Sequence, residues 1–316
     1  MPWDLLLREA FIVSLFAAAI RLAMPVLLAT LGEIITELSG VSNLGLEGIM
    51  TIGAFAGFAI AFVTGNTWWG LLASAITGCV MGLLMSYLSI SLKIDQFLAG
   101  LVLVLLGSSL GNFLYRQIFG LSGSPPRIDP LPAMPIPYLS DIPYIGEIFF
   151  SQSMFVYLIL PIALILWFTI NHTTWGLKLR ASGEVPSALQ SAGTNVSLIR
   201  YEAVILGSAL VGLGGGFLTT GQLGLYIEGV IAGRGWVALA LVIFSRWNPG
   251  LAIIGAVIFG TADSIQFRLQ AFGSEIIPYE IFLMLPYIIT ILALLTAGQR
   301  LSQPTSLGQS FSKEER

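Results

Sequence analysis

The side chains in this sequence that could do chemistry are few, and they collect in two short stretches. Residues 31–50 read LGEIITELSGVSNLGLEGIM, which places three carboxylates and an asparagine among glycines between two strongly apolar runs. A second polar group follows another apolar run, in residues 222–236. Amide, carboxylate and guanidinium groups hydrogen-bond hydroxyls and amides, and an indole ring can stack on a flat solute. The candidate binding residues are therefore Asn43, Glu47, Gln222, Glu228, Arg234 and Trp236.

Familiar catalytic arrangements are not found in the sequence. The single histidine, His172, lies at the edge of an apolar run, where an interfacial role is the simplest interpretation. No lysine follows a glycine, so the sequence has no G-x-x-x-x-G-K-[ST] phosphate loop. Cys79 is the only cysteine, and the net charge is −3. We therefore expect no disulfide, no metal site, no cofactor held by this chain and no nucleic-acid partner.

The composition predicts that lipid covers much of the surface. Of the 316 residues, 56% are hydrophobic and only 10% are charged, and the mean hydropathy is +0.88. Soluble domains carry about 25% charged residues. A membrane-spanning helix needs about 20 apolar residues. The fold class predicted is an all-α, polytopic membrane helical bundle of about nine spans, with a range of about eight to ten. The candidate spans are roughly 10–31, 48–64, 68–91, 97–115, 153–171, 202–221, 235–246, 250–264 and 281–298.

Two long polar segments indicate which ends of the spans face the cytoplasm. Residues 116–152 hold seven of the fifteen prolines and have a net charge of −1, whereas residues 173–200 have a net charge of +2. Because cytoplasmic loops carry an excess of Lys and Arg, residues 173–200 are predicted inside and 116–152 outside. The tail, residues 299–316, is then also inside, and its polar end is predicted to be disordered.

A weak internal repeat suggests that the chain has two related halves. LEGIMTIGA begins at Leu46 and IEGVIAGRG begins at Ile227, so Glu47 and Glu228 are offset by 181 positions. The Gly-Leu pairs at positions 70 and 250 repeat at nearly the same offset. The two halves, about 10–118 and 202–298, begin with the first and sixth predicted spans and so run in opposite directions. Inverted repeats with broken helices near the bilayer midplane are typical of transporters.

The first polar stretch therefore has two possible interpretations. Gly40, Gly45 and Gly48 interrupt a helix, and Asn43 is a capping residue. Non-helical backbone at membrane depth is tolerated only against protein or a watery cavity, which favours a segment that lines a path. The alternative is a cytoplasmic loop whose carboxylates are solvated.

Two charged residues, Arg21 and Asp263, fall within predicted spans. An ionisable residue inside a membrane is a functional candidate by default. The alternative is that the two pair with each other to hold helices together.

The segment SGEVPSALQSAG, residues 182–193, predicts a short helix in the inner loop. Ser182 or Gly183 can cap it, Glu184 suits a helix N-terminus, and Pro186 fits the first turn. Gly193 is a natural stop. A helix of about seven residues is not stable alone, so it needs a surface to rest on. Ala188, Leu189 and Ala192 are expected to form its apolar face.

Four segments of the sequence resemble a known family. They are GEIITELSGVSNLGLEGIM (32–50), residues 179–217, GVIAGRGWVALALVIFSRWNPG (229–250) and MLPYIITILALL (284–295). The first is similar to the signature of permease subunits of bacterial ABC importers for nucleosides and simple sugars, within the ribose/galactose/branched-chain amino acid permease family. Leu38 stands where that family usually has arginine, so no role of that basic residue is carried over.

The resemblance implies a single transmembrane permease domain, residues 1–316, in the bacterial cell membrane. It implies a translocation path for a nucleoside or simple sugar, and the subgroup does not fix which. It implies partner ABC ATPase subunits that use ATP and magnesium, a second permease subunit, identical or different, and an extracytoplasmic substrate-binding protein. By resemblance, the inner loop is the coupling loop that contacts the ATPase. Its coupling residues are Gly183, Glu184, Pro186, Ala188, Leu189 and Gly193.

An alternative function from another class is a secondary transporter driven by protons or sodium. Glu47, Glu228 or Asp263 would then carry the ion. The predicted helix in the inner loop argues against this alternative, because a self-sufficient carrier needs no docking point for an ATPase. A membrane enzyme is a more distant alternative, since no catalytic cluster can be assembled.

Overall fold

A computed structural model describes residues 9–120, 124–272, 284, 287–292, 295 and 303–311. The described residues form helices and no named strand, so the predicted all-α bundle is confirmed. The helices are α1 Glu9–Leu38, α2 Leu46–Thr64, α3 Thr67–Ser86, α4 Gln96–Phe119, α5 Ile145–Phe149, α6 Met154–His172, α7 Thr174–Glu184, α8 Pro186–Ser191, α9 Val196–Gly216, α10 Arg234–Ser245 and α11 Pro249–Phe272. Helix α3 continues into a short π-helix, Tyr87–Ser91, and α9 continues into another, Phe217–Leu223.

Seven helices in the described part of the chain are long and apolar enough to cross a membrane. They are α1, α2, α3, α4, α6, α9 and α11, where α3 and α9 are counted together with the π-helices that continue them. The predicted span at 235–246 is only the 12-residue α10, which is about 18 Å long and too short to cross alone. The predicted span at 281–298 lies mostly outside the described residues. The predicted count of nine is therefore not confirmed.

Helix α1 is longer than the predicted span at 10–31. It continues to Leu38, so Glu33 and Glu37 lie inside the helix and not in the interruption after it. The interruption is confined to residues 39–45, between α1 and α2, which are two separate candidate spans. A break within a single membrane-spanning helix therefore stays a prediction.

Glycine contacts explain the close packing of α9 against three neighbouring helices. A Cβ atom added to Gly207 of α9 would lie 2.4 Å from the carbonyl oxygen of Gly32 in α1. One added to Gly53 in α2 would lie 2.5 Å from the carbonyl oxygen of Gly212. Small residues let helix backbones approach closely in a membrane. Contacts between leucine side chains stabilise helix association little there, because lipid tails are equally apolar. Helix α9 therefore occupies the centre of the bundle, between α1, α2 and α3.

The order of helices agrees with the predicted repeat. Helices α1, α2 and α3 are matched by α9, α10 and α11, and the third helix of each set begins after an asparagine. The Oδ1 atom of Asn66 accepts from the N–H of Trp68 at 2.9 Å, and that of Asn248 accepts from Gly250 at 2.8 Å. Since α1 and α9 are the first and sixth of the seven candidate spans, they run in opposite directions if each span crosses. The inverted arrangement of the halves stays a prediction.

The described loops meet at two opposite ends of the bundle. At one end, Ile128 of the predicted outer loop donates its N–H to the carbonyl of Gly224 at 2.8 Å. At the other end, residues 39–45, the loop containing α8 and residues 303–311 lie together. The expectation that the tail is disordered does not hold for residues 303–311, which pack on the inner loop. Residues 312–316 lie outside the described part of the chain.

Labelling of introduced cysteines should test this sidedness. In a Cys79→Ala background, Tyr138→Cys and Ser187→Cys should react with impermeant thiol reagents from opposite sides of the membrane, because both positions are exposed and lie at opposite ends of α6. Tyr138 is 88% exposed, which makes it a better reporter than its half-buried neighbour Ser140. Labelling of intact cells and of inverted vesicles measures the accessible side. Reaction of both cysteines from outside would overturn the orientation.

Candidate functional site

The break between α1 and α2 carries non-helical backbone into the interior of the bundle. A Cβ atom added to Gly45 would lie 2.8 Å from Cβ of Leu103. Leu103 is seven residues beyond the start of α4 at Gln96, which is about 10 Å along that helix. The chain therefore turns at Ser39 and Gly40 and re-enters the bundle before α2 begins.

Polar side chains satisfy the backbone of this break. The N–H of Ser42 donates to Gln96 Oε1 at 2.7 Å, and the N–H of Asn43 donates to Glu33 Oε1 at 2.8 Å. Asn43 Oδ1 accepts from the N–H of Gly45 at 3.0 Å. Because an unpaired N–H in an apolar interior is costly, this explains why polar residues stand in an apolar region.

The carboxylates of α1 are buried, which does not fit the alternative of a solvated loop. Glu33 is fully buried, and Glu37 accepts a hydrogen bond from Trp247 Nε1 at 2.6 Å. Asn43 is also fully buried, with its Nδ2 atom 3.4 Å from Ser208 Oγ. The prediction that Asn43 contacts substrate is not tested by this arrangement.

Glu47 joins the two halves of the chain. Its Oε1 atom accepts from the N–H of Gly233 and its Oε2 atom from the N–H of Gly235, both at 2.8 Å. The N–H groups of Gly233 and Gly235 lie at the start of α10, where N–H groups without a partner in the helix and the helix dipole favour a negative charge. A Cβ atom on Gly235 would lie 2.5 Å from the backbone nitrogen of Glu47, so glycine permits the contact. Both carboxylate oxygens are engaged with the protein itself.

A cavity of about 380 Å³ lies beside the start of α10. Arg234 and Asp263 line it and form an ion pair, with Nη2 and Oδ2 3.0 Å apart and side chains only 11% and 7% exposed. Tyr287 also lines it and donates its hydroxyl to the carbonyl of Ala232 at 2.7 Å. The other lining residues are Leu22, Leu218, Gln222, Leu223, Ile227, Gly229, Val230, Ala232, Phe259, Gln266 and Phe267. The cavity is apolar with a few polar groups, as small-molecule sites are.

Only some of the residues predicted to bind the solute line this cavity. Gln222 and Arg234 line the cavity, whereas Asn43, Glu47, Glu228 and Trp236 are not among its lining residues. The predicted roles of these residues in substrate contact stay predictions.

The alternative interpretation, in which Arg21 pairs with Asp263, is not what the structure shows. Asp263 pairs with Arg234, and Arg21 Nη1 donates to Gln152 Oε1 at 3.4 Å. The backbone carbonyl of Arg21 accepts from the side-chain amide of Gln222, which fixes that amide at the edge of the cavity.

Glu228 occupies a different environment from its repeat partner. Its two carboxylate oxygens accept from Nε and Nη2 of Arg116, at 2.5 and 2.6 Å. These charge-assisted hydrogen bonds lower the pKa of Glu228 below its ordinary value. Both side chains are exposed, so the pair lies outside the cavity. Trp236 is 45% exposed and is not among the residues that line the cavity.

The loop predicted to be the coupling loop contains the short predicted helix, with different bounds. Pro186 begins α8, and Gly193 follows it with a φ of +82°, a left-handed conformation that suits glycine. Ser182, Gly183 and Glu184 do not cap α8, because they complete the last turn of α7.

The expected apolar face of α8 is split. Leu189 is buried against the bundle, whereas Ala188 and Ala192 are exposed. Ala188 points about 100° away from Leu189 in the helix, and Ala192 lies beyond the last residue of α8, Ser191. The exposed part of this predicted coupling loop consists of Glu184, Val185, Ser187, Ala188, Ser191, Ala192 and Gly193.

This fold and this site define a multi-pass membrane transport protein: a bundle of apolar helices, a break between two of them that is held by polar side chains, and a mainly apolar cavity with a few polar groups beside a half-length helix. Residues 15–294 match the family described as branched-chain amino acid transport system / permease component, and the chain belongs to this family.

Individual relatives match over nearly the whole chain. The chain is 34% identical to the guanosine ABC transporter permease NupQ of Bacillus subtilis, over 95% of this chain and 96% of that protein. It is 33% identical to the nucleoside ABC transporter permease NupC of Lactococcus lactis, over 92% and 94% respectively. It is also 35% identical to TsgC13 of Haloferax volcanii, a candidate glucose ABC transporter permease, over 96% and 99%.

Proposed function

We propose that this chain is the non-catalytic permease subunit of an ABC importer in the bacterial cell membrane and that it carries a nucleoside or a simple sugar. The likeness to NupQ, NupC and TsgC13 over more than nine-tenths of the chain carries this proposal.

The cavity beside α10 supports an uncharged, polar solute. Asp263 offsets the charge of Arg234, so the lining has no net charge from this pair. Gln222 and Gln266 add amide groups that can bind hydroxyls, and Phe259 and Phe267 add aromatic surface. Such a lining suits a nucleoside or sugar better than an ion.

The energy for transport comes from ATP hydrolysis by partner ATPase subunits, which bind the exposed part of the coupling loop. The sequence has no phosphate loop of its own. An identical or different permease subunit completes the path, and an extracytoplasmic binding protein delivers the solute.

Uptake by proteoliposomes tests this function. We expect accumulation of labelled guanosine or glucose only when the ATPase, the binding protein and ATP are present. Copurification of the intact complex identifies the solute held by its binding protein. Uptake driven by a proton or sodium gradient without ATP would overturn the proposal in favour of a secondary transporter.

A charge on the exposed part of the coupling loop should weaken ATPase binding. Ala188→Asp adds a carboxylate on the face of α8 that points away from the bundle. Burying an unpaired neutral polar group costs about 1–3 kcal/mol and a carboxylate costs more, so affinity should fall by roughly 5- to 150-fold or more. Copurification of the ATPase measures the effect.

The matched control for Ala188→Asp is Ala133→Asp, an exposed alanine at the opposite end of the bundle, which should leave ATPase binding unchanged. Equal ATPase recovery with both variants would argue against docking at α8. Alanine substitutions at Glu184 and Leu189 are less suitable, because Leu189 is buried and Glu184 accepts a hydrogen bond from Thr305 at 2.6 Å.

A further inference from the structure

Residues 303–311 lie across the junction between the coupling loop and the break in α1. The N–H of Ser306 donates to the carbonyl of Gly183 at 2.8 Å, and the N–H of Gly308 donates to the carbonyl of Gly40 at 3.1 Å. Pro304 is buried, and Leu307 is half-buried against the main core. One short segment thus holds both the end of α7 and the turn that begins the break.

A buried cation fixes this junction. Arg200, in the second turn of α9, is only 2% exposed. Its Nη1 atom donates to the carbonyl of Gln309 at 2.8 Å and its Nη2 atom to the carbonyl of Ser182 at 3.3 Å. Within the described residues it has no carboxylate within 4.0 Å. The buried charge therefore depends on two backbone carbonyls, one from the last turn of α7 and one from residues 303–311.

The coupling loop and the break are in direct contact beneath this segment. Ser182 Oγ donates to the carbonyl of Ser39 at 2.9 Å. A Cβ atom on Gly183 would lie 2.5 Å from the carbonyl of Leu38, and one on Gly40 would lie 2.8 Å from Arg200 Nη2. Gly40 also has a φ of +92°, which disfavours any other residue. Such close backbone contact leaves little freedom for the loop to move without the break.

Helix α9 continues from this junction to the cavity. It carries Ser208, which contacts Asn43 of the break, and its π-helical continuation carries Gln222 to the cavity lining. A displacement at Arg200 can thus reach both the break and the cavity through one continuous helix.

We infer that Arg200 and residues 303–311 form a clasp that couples movement of the ATPase-bound loop to the break in α1 and to α9. Arg200 is a positioning residue of energy coupling and does not contact the solute. The inference rests on the proposed function, because it requires an ATPase at the coupling loop.

Proline substitution tests the clasp with a matched control. Ser306→Pro removes the N–H that binds Gly183, whereas Ser310→Pro alters an exposed position whose N–H makes no hydrogen bond within the described residues. Both variants are made in the complete transporter and reconstituted in proteoliposomes. ATPase copurification, ATP hydrolysis and solute uptake are measured together, and the ratio of uptake to hydrolysis reports coupling.

We expect Ser306→Pro and Arg200→Met to retain the ATPase and its hydrolysis but to lower uptake per ATP hydrolysed by about fivefold or more. Ser306→Pro leaves the buried carbonyl of Gly183 without its donor, and Arg200→Met removes the charged donor to the carbonyls of Ser182 and Gln309. Arg200→Lys should restore part of the ratio because it keeps the charge. Ser310→Pro should match the unmodified transporter. If Arg200→Met does not insert into the membrane, Ser306→Pro carries the test alone.

An unchanged ratio in Ser306→Pro would overturn the clasp. Loss of ATPase binding in that variant would also overturn it, because the segment would then be part of the docking surface and not a coupling element. Failure of the unmodified chain to bind any ATPase would instead overturn the proposed function.

Discussion

Replacing Glu47 with alanine should strongly destabilise the protein and abolish uptake. The carboxylate accepts two backbone N–H bonds at the start of α10, and alanine leaves both donors unpaired inside the bundle. Hydrogen bonds to a charged group contribute about 1.5–3 kcal/mol each, so the expected loss in the free energy of unfolding is about 3–6 kcal/mol. Glu47→Gln should show a smaller loss, because its amide oxygen can still accept one bond. Thermal unfolding of the detergent-solubilised protein measures both.

Glu228→Ala is the matched control for Glu47→Ala. It changes the same residue type at the corresponding position of the repeat, but Glu228 is exposed and paired only with Arg116. Exposed ion pairs contribute little to stability, so this variant should unfold close to the unmodified protein. If Glu47→Ala is as stable as Glu228→Ala and yet does not transport, Glu47 contacts the solute and is not a brace.

Glu47 and Glu228 have similar local sequences but different partners in the structure. Both stand in the same aliphatic–Glu–Gly pattern, which predicted equivalent roles. Glu47 opens α2 beside the start of α10, whereas Glu228 lies in the loop before α10 and meets Arg116 of α4. Which partner each finds depends on tertiary packing, which a local pattern does not contain.

The spans and the break were predictable because they depend on local composition. Long apolar runs identify α1, α2, α3, α4, α6, α9 and α11, and the glycines after Leu38 indicate an interruption. Hydropathy does not separate a half-length helix from a crossing one, which is why α10 was predicted as a span. The end of α1 was misplaced because Glu33 and Glu37 resemble loop residues until Asn43 and Trp247 are seen to bind them.

Backbone preferences explain which features of the coupling loop could be predicted. Pro186 and Gly193 mark the bounds of α8 through their own conformational limits. The inferred role of Arg200 gave no comparable signal, because in the sequence it is one more basic residue of a loop predicted to be cytoplasmic. Only the fold shows that it is buried and that residues 303–311 supply one of its carbonyl partners.

Separating the charges of Arg234 and Asp263 should have a large effect on both stability and transport. Asp263→Leu leaves the guanidinium of Arg234 buried without its partner. Arg234→Met leaves the carboxylate of Asp263 buried without its partner. Breaking one side of a buried ion pair costs about 3–5 kcal/mol in the free energy of unfolding. The double variant should recover most of this stability, since an apolar pair of similar volume is often nearly neutral. Thermal unfolding of the two single variants and the double variant measures the coupling.

Uptake by the double variant then separates a structural pair from a transport site. If the solute passes through the cavity beside α10, the folded Arg234→Met/Asp263→Leu protein should bind the ATPase and still fail to accumulate labelled solute, because its cavity has lost the charged groups that bind hydroxyls. The exposed pair provides the control: Arg116→Met with Glu228→Leu lies outside the cavity and should transport normally. Normal uptake by the stable double variant would show that the Arg234–Asp263 pair only holds α10 against α11 and that the path for the solute lies elsewhere.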